Sequence, residues 1–433
     1  MKSFRHKIRH IFSPAKMPTP HLRCAYKVVD DCVIYADVYL PPTASPPTDK
    51  TQCPVVLAIH GGAFILGHSD MVNKDQIQDC LDRGWITLSL EHRLCPQVDI
   101  LEGPITDCRD ALAWVYNGGL DAELARNPST AAFAVDKDRV VAFGTSSGGA
   151  IALALGYSVP RPPLAILDFY GATHFTHPFW STPLRTAKLP PNTDPDYINQ
   201  VYDESPVPIR GGVSLEGQAP APAASALTTT TTTPTTPATP SSSSSIASTG
   251  STTTTSSSTN STSPPPPSSS TTNGTTNGTT TPSSTKKEPQ TPTQTQTLPP
   301  RPSFALTHIA RGTLLRVCYP FGPLSAIDAA ANITPAFPPT CVVHGTADES
   351  VPIELSRELY GRLLEAGVRG CEWIEVRGEG HTFAGGMEKG SETWGRQRGG
   401  FDWLEGRMGG GGVVGGGGGG GSGAVGVGGR GRR

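Results

Sequence analysis

The sequence predicts an α/β fold with a mostly parallel central sheet, helices on both faces, and a cap region interrupted by a disordered insert. Short continuous apolar runs, the first at Pro54-Val-Val-Leu-Ala-Ile-His60, alternate with segments of helical periodicity. That is the pattern of strands buried on both faces and joined by crossover helices. One such run passes through Gly144-Thr-Ser-Ser-Gly-Gly149 straight into a small-residue helical segment, which reads as strand, sharp turn, helix. Two tracts cannot join any core: residues 219–302 are almost wholly Thr, Ser, Pro, Ala, Gln and Gly, and residues 409–433 are mostly Gly. Neither buries enough apolar surface to offset the entropy of ordering it.

Residues 1–22 form a basic leader without the apolar core of a signal peptide. Phe4, Ile8, Ile11 and Phe12 share one helical face, which leaves an organelle-targeting helix open beside the expected cytoplasmic location. The folded core then occupies residues 23–218, including the start of the cap, and resumes over residues 303–408. Residues 26–29 and 33–40 alternate around Asp30-Asp31 and predict a hairpin. After the apolar run to His60, residues 75–83 read as a helix closed by Gly84, 85–90 as a strand and 105–116 as a helix. The elbow follows, then a strand at 164–170. Beyond the insert, 340–344, 352–365 and 371–376 read as strand, helix, strand. Residues 197–202 and 304–319 are the expected ordered stubs of the cap.

A net charge of -2 on 433 residues gives no electrostatic preference for nucleic acid or an anionic membrane, and no apolar run is long enough to span a bilayer. Nine cysteines, odd in number and without a Cys-x-x-Cys pair, read as reduced and mostly buried thiols. The sequons at Asn260, Asn273 and Asn277 arise readily in a Ser/Thr-rich tract, and the Gly-Arg-Gly-Arg-Arg433 end reads as a tail rather than an RNA contact.

In a parallel α/β sheet the functional groups gather at the carboxyl ends of the strands. Three strand ends carry matching chemistry: Ser146 after the elbow strand, Asp348 in His344-Gly-Thr-Ala-Asp-Glu-Ser-Val-Pro352, and His381 in Gly378-Glu-Gly-His-Thr-Phe383. A serine hydroxyl is a weak nucleophile near neutral pH. It needs a base to accept its proton and an acid to hold that base in the productive tautomer. His381 and Asp348 fit those roles, with Asp168 and Glu349 as competing carboxylates. Glycines two before and two after Ser146 suit a turn that holds the serine strained and exposed. An oxyanion hole would come from the amides of Gly61, Gly62 and Ala63, joined by that of Ser147; which of the loop's amides point inward is open at this level.

These segments resemble the fold-3, hormone-sensitive-lipase-like group of the α/β-hydrolases. The shared motifs stand here as His60-Gly-Gly-Ala63, Glu91-His-Arg-Leu-Cys-Pro96, Gly144-Thr-Ser-Ser-Gly-Gly149, Asp348 and His381. The resemblance covers roughly residues 26–158 and 340–383. It implies an α/β-hydrolase fold and a carboxylic ester hydrolase that cleaves a small-molecule ester without cofactor or metal. Thr145 and His92 depart from the group's Asp and Tyr, which bears on substrate preference rather than on reaction type. A prolyl-oligopeptidase-like peptidase and a non-catalytic small-ligand receptor on the same scaffold are the competing readings. His60 is expected to steady the oxyanion loop, and His92 and His344 to be packed strand-end histidines.

Overall fold

In the computed structural model, which describes residues 17–42, 51–212, 298–386 and 389–409, eight strands form one sheet. They are β1 (Leu22–Val29), β2 (Cys32–Tyr39), β3 (Thr51–Ile59), β4 (Ile86–Leu90), β5 (Phe133–Thr145), β6 (Ile166–Phe169), β7 (Thr340–Gly345) and β8 (Glu372–Val376). The spatial order is β1-β2-β4-β3-β5-β6-β7-β8. The β1–β2 hairpin and the β2–β4 pair are antiparallel, and every pairing from β4 to β8 is parallel. Asp30, at φ 51°, makes the hairpin turn in a left-handed conformation that aspartate tolerates.

The helices are α1 (Lys74–Asp82), α2 (Thr106–Tyr116), α3 (Gly119–Arg126), α4 (Ser147–Ala154), α5 (Pro195–Ile198), α6 (Pro300–Ala310), α7 (Leu314–Cys318), α8 (Ile353–Glu365), α9 (Phe383–Gly386) and α10 (Glu392–Arg407). Strand β3 shows why the apolar run is continuous. Val55, Leu57 and Ile59 pack with Leu112 of α2, Leu124 of α3, Ile151 of α4 and Leu359 of α8. Val56 and Ala58 face the other way, onto Ile77 and Leu81 of α1 and Phe401 and Leu404 of α10. Because strand side chains alternate faces, a sheet covered on both sides needs apolar residues at every position. Helix α1 starts where the Asn73 side chain accepts the amides of Asp75 and Gln76, a normal N-cap.

Helices α6 and α10 are among the elements that depart from the sequence expectation. Helix α6 begins at Pro300, inside the tract read as coil to Pro302: Pro300 sits at the first helical position, where its fixed φ and missing N–H cost nothing, and Arg301 and Phe304 are buried. The low-complexity tract therefore ends before Pro302. Helix α10, with Gly395, Gly399, Gly400 and Gly406 in its span, carries little helical signal beyond its Ser391 cap and the charges at its ends. Each internal glycine costs ~1 kcal/mol, while burying Trp394, Phe401 and Leu404 returns about 1.5–3 kcal/mol per side chain, so packing overrides propensity.

The rest of the insert, the leader to residue 16, the three sequons and the tail from residue 410 lie outside the described residues. All nine cysteines are unpaired, and eight are buried. Among the described residues no helix is long and apolar enough to cross a membrane.

Candidate active site

The chain enters the turn at Ser146 with φ 55° and ψ -122°, a backbone conformation that costs a non-glycine residue about 1–3 kcal/mol. It is held by the Ser146 amide donating to Phe169 O at 2.9 Å and by the Ala150 amide donating to Ser146 O at 3.1 Å. The flanking glycines are required by close approach. A Cβ on Gly144 would stand 2.1 Å from Gly148 O, and one on Gly148 would stand 2.3 Å from Ile59 O. The turn thus presses α4 against β5 and β3 and presents the serine hydroxyl at the sheet's carboxyl edge.

Ser146, Asp348 and His381 meet there. His381 Nε2 lies 2.8 Å from Ser146 Oγ, and His381 Nδ1 lies 2.7 Å from Asp348 Oδ2. Facing a carboxylate, Nδ1 must carry the proton, which leaves Nε2 free to accept from the serine hydroxyl. Asp348 is bonded on every side: its Oδ1 accepts the amides of Ser350 and Val351, both at 2.9 Å, and its Oδ2 also accepts from His344 Nε2 at 3.1 Å. Burial alone would raise this carboxyl, but the bonds from His344 and His381 outweigh it and hold it below the usual carboxylate range.

The competing carboxylates stand elsewhere. Glu349 is exposed at the cavity rim. Asp168 is fully buried at the end of β6, accepts the Gly171 amide at 3.0 Å, and is pushed up to about 7 by burial.

His344 is packed at the end of β7 as expected, and its link to Asp348 is an addition that sequence reasoning missed. Its Nε2–H is shared between Asp348 and Val351 O, 3.0 Å away, while Nδ1 accepts from Ser356 Oγ at 2.8 Å. The four-residue spacing from His344 to Asp348 across a strand-end turn is the signal that could have found it. Tyr170, directly after β6, was also missed; its ring meets that of His381 edge-on with centroids 4.9 Å apart.

The hydroxyl opens onto a cavity of about 440 Å³ whose walls include Phe64, Phe175, Trp180, Leu184, Leu306 and Ile309. Residues from both sides of the insert therefore build one apolar chamber. Ala63 and Ser147 also line it, whereas Gly61 and Gly62 are buried and are not among its lining residues. His60 is buried against this loop, with Nδ1 2.8 Å from Gly61 O and its ring stacked on His92 at 4.5 Å. Burial, followed by the neighbouring His92, holds His60 well below the ordinary histidine range, which suits a neutral structural ring.

Comparison with known proteins places these residues in context. The BD-FAE family model matches residues 36–179, which include the loop after β3 and the turn at Ser146. The chain is 42% identical over 155 residues to the non-reducing polyketide synthase ausA of Aspergillus calidoustus, covering 35% of this chain and 6% of that protein. It is 36% identical over 202 residues to the non-reducing polyketide synthase prhL of Penicillium brasilianum, covering 46% and 8%. The chain thus spans less than a tenth of the length of these curated relatives. Among solved structures, esterase 2 of Thermogutta terrifontis, phosphoramylated by tabun, aligns over 92% of this chain and 97% of its own, at 15% identity and a TM-score of 0.49.

Proposed function

We propose, from the premise that the chain belongs to the esterase branch of the α/β-hydrolases, that it is a serine hydrolase cleaving small to medium carboxylic esters through an acyl-Ser146 intermediate. The observation that carries the reading is the continuous hydrogen-bonded path from Ser146 Oγ through His381 to Asp348 at the floor of an apolar cavity.

On this reading His381 Nε2 takes the Ser146 proton as Oγ attacks the ester carbonyl. Asp348 keeps Nδ1 protonated and stabilises the imidazolium that forms. The carbonyl oxygen becomes an anion, and the Ser147 amide together with amides of the 61–63 loop bind it, each donor worth about 10²–10³ in rate. His381 then protonates the leaving alcohol, the acyl group stays on Ser146, and the same imidazole activates the water that releases the acid. The apolar walls supply a site for a hydrophobic acyl group. Likeness to regions of polyketide synthases brings polyketide-derived acyl groups into the substrate panel.

The test is turnover of short-chain p-nitrophenyl esters by the wild type and by Ser146→Ala. Turnover abolished by the substitution supports the reading. Wild-type turnover no higher than the variant's favours a non-catalytic receptor, and selective cleavage of peptidyl amides favours a peptidase.

A further inference from the structure

The loop after β3 carries a run of backbone that does not hold itself. Gly62, Ala63 and Phe64 stand at φ 125°, 55° and 64° in succession, and the two non-glycine members each cost about 1–3 kcal/mol. Such a run persists only where its surroundings over-determine it. The local support comes from Gly62 O, which accepts the amides of Ile65 at 3.1 Å and Leu66 at 2.8 Å.

The carbonyls that follow are tied from outside. Phe64 O accepts the Cys95 amide at 2.9 Å, Ile65 O accepts Arg301 Nη1 at 2.9 Å, and Gly67 O accepts the Gly211 amide at 2.8 Å. Arg301 also donates to Cys95 O at 2.7 Å, Gln97 Oε1 at 2.8 Å and Glu204 Oε2 at 2.9 Å. One buried guanidinium therefore joins the loop to the segment that supplies its other tie. A planar, always-charged fork suits this task, since each of its three nitrogens meets at least one acceptor. On the opposite side, Gly211 reaches Gly67 only because it lacks a side chain: a Cβ there would stand 2.5 Å from Leu66 Cα. Arg301 and Gly211 lie on the two segments that lead into and out of residues 213–297, and both grip the same short stretch of loop.

We propose that Arg301 is a positioning residue for the oxyanion loop, holding Ile65 O so that the left-handed run at residues 62–64 keeps the 61–63 amides aimed at the reacting carbonyl, with Gly211 as the second anchor. The inference rests on the oxyanion reading above. It goes beyond that reading in assigning a function to residues that touch neither substrate nor the Ser146–His381–Asp348 path. If the bond to Ile65 O is lost, the left-handed run relaxes. Of the chamber's walls only Ala63 and Phe64 belong to that run, so ground-state binding changes little, while the tetrahedral species loses its donors.

The test uses the full chain with Arg301→Met, Arg301→Lys and Gly211→Ala. For each variant, kcat and KM are measured on p-nitrophenyl butyrate, alongside affinity for a trifluoromethyl ketone, which forms a tetrahedral adduct, and for the matching unreactive methyl ketone. Arg301→Met should lower kcat about 10²-fold, the scale of one oxyanion donor, with KM changed little. Affinity for the trifluoromethyl ketone should fall in parallel while that for the methyl ketone holds. Arg301→Lys, keeping a donor but not the fork, should recover part of the loss. Should Arg301→Met fail to fold, Gly211→Ala, which removes none of Arg301's donors, should show the same split. The proposal is overturned if folded variants keep wild-type kcat, or if both ketones lose affinity equally. If wild type and Ser146→Ala hydrolyse esters equally, the serine hydrolase reading itself fails and this inference falls with it; an active wild type with unimpaired variants sinks the inference alone.

Discussion

His344 and His381 converge on one oxygen: Asp348 Oδ2 accepts from Nε2 of the first at 3.1 Å and from Nδ1 of the second at 2.7 Å. The buried carboxylate thus takes one of its hydrogen bonds from a ring that is itself fully buried at the end of β7. Only the other ring reaches the serine.

Replacing His344 with Ala should leave Asp348 short of one donor while keeping the Ser146–His381 contact. A hydrogen bond to a charged group is worth ~1.5–3 kcal/mol, so kcat should fall about 10- to 100-fold with little change in KM. Steady-state kinetics on a short-chain ester check this; an unchanged kcat would remove His344 from the account.

Asp168 predicts a pH-dependent stability. Its carboxyl ionises at about 7 in the folded chain against an ordinary 3.8, because it is buried with one oxygen left without a hydrogen-bond partner among the described residues. The folded state therefore holds a proton that the unfolded state has already released. Its stabilising contribution is complete below pH ~4 and is lost as pH rises through about 7. Asp168→Asn keeps an acceptor for the Gly171 amide and removes the titration. A tenfold difference in ionisation constant between folded and unfolded chain is worth ~1.4 kcal/mol, so the variant should gain over the wild type by a few kcal/mol at about pH 8 and by far less at about pH 4.5. Denaturant melts at the two pH values measure the difference, and a gain independent of pH would refute the assignment.

The chamber wall predicts acyl-length selectivity. Ile309 and Leu306, both on α6, face the cavity. Ile309→Trp should occupy part of the volume, cutting kcat/KM for octanoate esters about tenfold or more relative to acetate esters. An equal loss on both would place the acyl chain elsewhere.

Excision separates the low-complexity tract from its anchors. Removing residues 219–296 should preserve turnover of acetate esters within about threefold, because a sequence so rich in Ser, Thr and Pro offers the chamber little apolar surface. Extending the cut through Pro302 removes Arg301 and should cost about 10²-fold in kcat. Equal activity of the two deletions would contradict the role given to Arg301.

Much of the sheet was legible because parallel strands buried on both faces leave unbroken apolar runs, as at residues 54–59 of β3, 140–143 of β5 and 341–343 of β7. Ser146, His381 and Asp348 were legible because their order and strand-end placement constrain one another. What escaped is non-local. Helix α10 owes its existence to the sheet face that Phe401 and Leu404 cover, and no propensity of its own glycine-rich sequence announces it. The start of α6 was hidden in a proline-rich stretch, where Arg301 is ordered by acceptors at Ile65, Cys95, Gln97 and Glu204. His344 read as a packed strand-end residue because only the turn that follows β7 brings Asp348 back to its ring.

The central claim is that Ser146 is a nucleophile activated by His381. It is tested most directly by treating the full chain with a fluorophosphonate and mapping the adduct by mass spectrometry. The account predicts a single stoichiometric adduct on the peptide bearing Ser146, absent in Ser146→Ala and slowed at least about 10²-fold in His381→Ala. Labelling that persists in Ser146→Ala, or a wild type that takes up no label while folded, would contradict it.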